Sequence, residues 1–451
     1  MAARRFVRAL LILALAFSCT AFGTSARANG RFPQAQVIES VPGGDGTLLY
    51  MRTTFGILVS HDAGKSWRWI CERALGYQGQ WDPPIAVTRD GTLWVGLDDG
   101  VVAVSRDCET ARSPEMQGET IKDFTTDAQG ETLWAITGRA GEKSALFRRA
   151  PAGKWEKLDA KGLEDLNLLT VDVAPSRSQR IYVSGEPYED IRGRLYRSDD
   201  GGKTFTGGPN DLAAQGPFFI AAVDPKDPSR VLVRHLHTTG SDMLLTKDGG
   251  KTLTNVLSMK SAMFGFAKSP DGATYWAASG LAEHGIFEST DRGEHFVHVG
   301  AHGVLCLHAA AGDRLFVCEN TWKLESPIVG LSVDRGKTVT TIAGFGDVVG
   351  PVACASDAGA AAICAGEWPA MRASLFPRVD AGARATGAEE PPPPKRSCSC
   401  DAAGAARDPD HAWLSAGLIP LVAWVRARKR AGSRRDHSGR DRSETDPPPS
   451  R

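Results

Sequence analysis

Short apolar runs of five to seven residues, separated by polar turns, recur along most of this chain. An early set reads QVIESV, TLLYMRT, GILVS and SWRWI, and a late set reads VLCLHA, RLFVCE, IVGLS and TVTTI. Each run is rich in Val, Ile and Leu and bounded by Gly, Asp or Pro, which is how strands punctuate a sequence. Between the third and fourth run of a set stands a recurring turn: SHDAGKSW from Ser60, SDDGGKTF from Ser198, TKDGGKTL from Thr246, STDRGEHF from Ser289 and SVDRGKTV from Ser332. Two worn copies, SRDCET at Ser105 and RAPAGKW at Arg149, fill the first gap, so that successive starts lie 43 to 49 residues apart. Four strands per unit at that period predict an all-β fold, a β-propeller of four-stranded blades. The turns count seven units. Beyond the seventh, PVACAS, AAICAGE and ASLFPRV read as three strands of a further blade, whose fourth would come from the residues before Gln34. The expectation is therefore eight blades, with seven as the alternative. Closure matters because an open ring leaves strand edges unpaired.

Within the turn, the Ser hydroxyl and Asp carboxylate suit nearby backbone N–H groups. Gly64, Gly202, Gly250, Gly293 and Gly336 tolerate a left-handed backbone. Asp62, Asp107, Asp200, Asp248, Asp291 and Asp334 are accordingly expected to be structural. The spaced oxygen ligands of a calcium loop, ending in a bidentate Glu, are absent from these turns. The motif resembles the Asp-box (BNR) repeat of sialidase-like β-propellers over roughly residues 31–378. The resemblance implies a fold and is nearly silent on activity, since such propellers include hydrolases, receptors and assembly factors.

The two ends read differently from the repeat. Residues 1–28 have a basic start (Arg4, Arg5, Arg8), an apolar stretch from Ala9 to Phe17 and an Ala26-Arg27-Ala28 cleavage pattern, the marks of a secretory signal peptide. Cys19 offers a lipoprotein alternative, but the residues before it fit a lipobox poorly. The propeller is assigned to 29–380 and a Pro-rich linker to 381–397. Residues 398–451 carry Cys398 and Cys400, an apolar run from Ala412 to Val425 interrupted by Pro420, and a basic cluster from Arg426 to Arg435. This order resembles the MYXO-CTERM sorting tail. The resemblance implies export, sorting machinery as a partner, and anchoring at the cell surface or outer membrane through the cysteine, with the apolar run as a short transmembrane segment. A C-terminal helix with a solvated tail is the alternative.

Charge changes the picture little. The 53 basic and 53 acidic residues balance and intersperse, which gives no basic stripe for nucleic acid. Of nine cysteines, Cys19 leaves with the leader and Cys398 and Cys400 belong to the tail. The remaining six, in an exported chain, suggest disulfides. Equivalent placement in successive repeats suggests Cys306–Cys318 and Cys354–Cys364 within blades, which leaves Cys71–Cys108 between blades one and two.

Candidate chemistry is sparse, and neither a metal nor a cofactor is expected. Arg31-Phe32-Pro33 matches the RxP start of sialidases, with Arg234 and Tyr275 as candidate partners. Asp172, Asp224 and Asp227 read as turn residues. His235 and His237 share one face of a strand, expected to be solvated, while His295 and His298 sit near a turn copy. Trp81 and Trp322 fall in loop-like stretches, where exposure would suit sugar stacking and packing under a loop is the alternative. No HExxH, Walker, GxSxG or dinucleotide motif occurs in a suitable context. The reading is a binding or scaffold protein for a carbohydrate or protein ligand. A glycoside hydrolase is the alternative.

Overall fold

The computed structural model describes residues 33–375, apart from 79–80, 140–141, 208–214, 321–326 and 355–358. Seven antiparallel sheets cover residues 35–70, 85–112, 121–157, 166–207, 218–259, 263–300 and 304–344, each with its four strands in chain order. At six of the seven junctions the first strand of a blade packs against the first strand of the next, and that of blade seven, Val304–Ala310, packs directly on that of blade one, Ala35–Ser40; between blades five and six, Gly240–Thr246 meets Met263–Lys268. The first strands line a central channel. The apolar core lies between blades: Tyr182 and Leu195 of blade four, for example, pack with Phe218, Val223 and Val231 of blade five.

The ring has seven blades, which corrects the favoured count of eight. Blade one supplies all four of its own strands, so no gap is left for residues before Gln34 to fill. At the expected start of the extra unit, Pro351 ends the strand Val348–Pro351, which adds to blade one as a fifth strand, parallel to Trp67–Ile70 at the outer edge. The next run is a helix, Ala360–Leu375. Its Ala-rich sequence, AAAICAGEWPAMRASL, favours that state, and the parallel strand already satisfies the open edge.

This C-terminal arm is pinned to blades one and two. Trp368 packs on Trp69 with ring centroids 5.8 Å apart, and Ala360, Cys364 and Leu375 join the buried cluster that contains Ile70, Cys71 and Leu75. Two disulfides cross from the arm, Cys71–Cys364 and Cys108–Cys354. The third, Cys306–Cys318, joins directly opposed residues of two strands in blade seven. All six ring cysteines are thus paired, but the expected Cys71–Cys108 and Cys354–Cys364 pairs are replaced, because Cys364 sits on a helix laid across blade one.

Five turns share one geometry. In blades one, four, five, six and seven, the hydroxyl of Ser60, Ser198, Thr246, Ser289 or Ser332 donates to the Asp two residues on at 2.8 Å. The same hydroxyl accepts the N–H of the Gly four residues on at 2.8–2.9 Å. Asp62, Asp200, Asp248, Asp291 and Asp334 each accept the backbone N–H of the residue four further on. The Gly stands at φ between 83° and 93°, which is why this position carries no side chain. Asp107 does something else. In a tight turn with Arg106 and Asp107 at φ 49° and 61°, its carboxylate reaches back to blade one, accepting from the Tyr50 hydroxyl at 2.8 Å and meeting His61 Nε2 at 2.5 Å.

Candidate binding site in the central channel

The first strands are irregular in a way that shapes the channel. Pairing with the second strand skips one residue in six of the seven blades: Gln36, Lys122, Leu169, Ala221, Phe264 and Leu305. Such a bulge re-aims the skipped side chain and frees backbone groups from the ladder. Gln36, Ala221 and Phe264 thereby line a channel cavity of about 490 Å³, a volume suited to a small ligand.

Toward the C-terminal ends of these strands the wall is a polar belt that ties blade to blade. Asp123 accepts the Val171 N–H at 2.9 Å, and Asp172 accepts that of Val223 at 3.2 Å. Thr170 accepts the Ile220 N–H at 2.9 Å, Lys268 donates to the Val223 carbonyl at 3.3 Å, and His308 Nε2 meets the Ser40 hydroxyl at 2.9 Å. Desolvation by the surrounding protein pushes the Asp123 carboxyl up to about 8, with Asp172 and Glu39 adding like charge and the Val171 N–H opposing. Burial likewise raises Glu39 to about 7, against the pull of Arg52. Asp172 is raised by burial and opposed by Lys268, and burial lowers His308 to about 4.

Toward the N-terminal ends the wall is aromatic and cationic. Arg234 on the second strand of blade five stands opposite Phe219, its guanidinium carbon 4.8 Å from the ring centre. Phe264, at its bulge, is 50% exposed.

The remaining residues singled out in the sequence fall as follows. Asp172 lies in the strand Leu166–Val173 and faces the channel, which corrects its reading as a turn residue; the turn begins only after Ala174, whose N–H donates to the Arg180 carbonyl. Asp224 and Asp227 do hold a turn, where Asp224 accepts the Lys226 and Asp227 N–H groups and pairs with Arg292 at 2.7 Å. Tyr275 is buried and donates to Asp224 at 3.2 Å, away from Arg234. His235 is only 1% exposed rather than solvated, with its ring edge against Phe218; His237 Nε2 lies 3.4 Å from Asp242. Among the described residues no group of His, Cys, Asp and Glu is placed to hold a metal. His295 belongs to a turn, bonded to Asp291 at 2.6 Å, and His298 packs on Phe287. Trp81 is partly buried and donates to the Gly96 carbonyl at 2.9 Å. Arg31, Phe32, Trp322, Cys398 and Cys400 lie outside the described residues. No helix among the described residues is long and apolar enough to cross a membrane. Gln36, Glu39, Asp123 and Phe264 carry no motif. The available signal was positional, near the start of each unit's first strand.

Comparison with known proteins supports the architecture. No family model and no curated protein sequence matches the chain. Among solved structures, an ancestral GH74 enzyme matches at TM-score 0.51 and 13% identity, over 70% of this chain and 47% of that one. The GH74 xyloglucanase from Xanthomonas campestris matches at TM-score 0.36 and 16% identity, over 74% of this chain and 66% of that one. The GH74 enzyme of Niastella koreensis matches at TM-score 0.33 and 15% identity, over 70% and 63%. The chain thus spans about half the length of the first of these and less than two thirds of the last. The first likeness is one of fold.

Proposed function

We propose that this propeller is a binding or scaffold protein that holds a carbohydrate or protein ligand at its central channel. The observation that carries this reading is how the channel carboxylates are used. Hydrolysis of a glycosidic bond needs two carboxyl groups free to flank the bond. Asp123 and Asp172 are instead engaged by backbone N–H groups of the next blade, so their geometry serves to hold the ring. The cavity is also lined by Arg234 and Gln36, whose Nε and Oε1 have no hydrogen-bond partner among the described residues, and by the half-exposed Phe264, groups suited to recognition. Glycan-array binding beside a panel of fluorogenic glycosides tests the reading: binding without turnover is expected, and turnover abolished by Glu39→Gln would replace it.

A glycoside hydrolase is the second reading. It is favoured by Glu39 and Asp123, whose burial keeps a proton on each near neutral pH, as a general acid requires. Three disulfides fit an oxidising compartment, which agrees with export through the leader at 1–28. Attachment at the cell surface through Cys398 or Cys400, in a tail like the MYXO-CTERM type, belongs to the same proposal. Cell fractionation with intact-mass measurement tests it, and an unprocessed cytosolic chain would refute it. Kinship with Asp-box propellers of the sialidase-like type fits the shared turn geometry and is proposed on that ground.

A further inference from the structure

The channel wall carries a cation, Arg234, that rests on the Phe219 ring and has no carboxylate among the described residues to neutralise it. The largely buried Arg180 and Arg230 each meet a carboxylate, Asp199 at 2.6 Å and Glu294 at 3.0 Å. Arg234 meets none within 4.0 Å among the described residues. Its Nη1 donates to the Met263 carbonyl at 2.6 Å, while its Nε is buried without a hydrogen-bond partner. Burial draws its guanidinium down to about 10 with no acid opposing. An enclosed charge left unpaired is costly, and a side chain that keeps one against a cavity presents it to a ligand.

The free groups specify that ligand. With Nη1 engaged, the guanidinium offers its Nε–Nη2 edge, two parallel N–H donors that match the two oxygens of one carboxylate. Gln36 Oε1 is also buried without a partner on this wall, an acceptor awaiting a hydroxyl. Phe264 offers an open apolar face for a ring. We propose that the channel binds an acidic sugar of the uronate class: Arg234 takes the carboxylate side-on, Gln36 accepts from a ring hydroxyl, and Phe264 covers the ring's apolar face. This rests on the channel being the ligand site and narrows what that site accepts.

The test is calorimetric titration of the full chain, disulfides intact, with glucuronate, glucose and inorganic phosphate. Glucuronate should bind at least tenfold more tightly than either of the others. Arg234→Gln should lose at least tenfold for glucuronate and leave glucose unchanged, Arg234→Lys should recover only part, and Gln36→Leu should lose a few-fold. Should Arg234→Gln fail to fold, Gln36→Leu decides, together with protection by glucuronate of Arg234 in the wild type against phenylglyoxal. Equal affinity for glucose and glucuronate, or unprotected Arg234, overturns the uronate assignment while channel binding survives. Tighter binding of phosphate overturns the carboxylate assignment alone. No binding of any of the three, with a blank glycan array, overturns both.

Discussion

Blades four to seven are held by their own sequence; blades one and two are held by residues far along the chain. In the first region, each turn closes on itself within a span of four residues, hydroxyl to carboxylate to backbone, four times over. In the second, the outer edge receives a strand, a helix and two disulfides spanning 293 and 246 residues. A repeat can be specified locally and copied. Ring closure cannot, because it joins one unit to whatever follows the last.

The largest expected effect follows from that difference. Removing the Cys71–Cys364 bridge by paired Ser substitution should cost about 4 kcal/mol, since with Cys108–Cys354 still in place it frees the loop made by residues 71–108 and 354–364, against about 3 kcal/mol for Cys306–Cys318, only 12 residues apart. Guanidinium unfolding measures both, and the reverse order would break the distinction between seam and repeat. Next comes pH. Asp123 binds its proton more tightly folded than unfolded, so its native contribution is lost as pH rises from 3.8 toward about 8. The turn aspartates act in the opposite sense: Asp334, held down to about 2 chiefly by the Thr338 hydroxyl, contributes above pH 3.8 and is lost as pH falls toward 2. Asp123→Asn should therefore flatten the neutral side of the stability profile alone, read as urea midpoints against pH; an unchanged profile would show that Asp123 titrates normally.

A smaller effect sharpens the contrast between true and worn turns. Ser198→Ala strands the buried Gly202 N–H and should cost about 1–3 kcal/mol. Ser105→Ala, whose hydroxyl meets only the exposed Glu109, should stay within about 0.5 kcal/mol. Equal losses in thermal melts would remove the difference between the two kinds of turn. Least of all, Glu367→Gln should cost no more than about 0.5 kcal/mol, because its 3.4 Å pair with the exposed Arg73 lies in solvent; a greater loss would mean that charge, and not the disulfides, secures the arm.

What the sequence made legible follows the same division. The Ser–Asp–Gly spacing, repeated in five units and worn in two more, sufficed for blade architecture and for a count of seven turns. It misjudged the segment after blade seven, whose apolar runs from Pro351 onward read as strands of an eighth blade: Pro351 instead ends a strand that answers to an edge contributed by residue 67 onward, and Ala360–Leu375 is a helix. The disulfide partners failed for the same reason. The channel was hidden because its members sit on five different blades, from Gln36 to His308, and become neighbours only when the ring closes. Arg234 stands out in the sequence by residue type alone; that it lacks a carboxylate partner depends on packing, which no linear spacing encodes.

The reach of the two arm bridges has a consequence for biosynthesis. Cys71 and Cys108 emerge from the ribosome as the first two thiols of the ring, and their proper mates follow only after more than two hundred further residues. During that interval they have each other as the nearest oxidation partner. A thiol isomerase that undoes a premature Cys71–Cys108 link should therefore raise the yield of native molecules, and trapping nascent chains with an alkylating agent should capture that mispaired species.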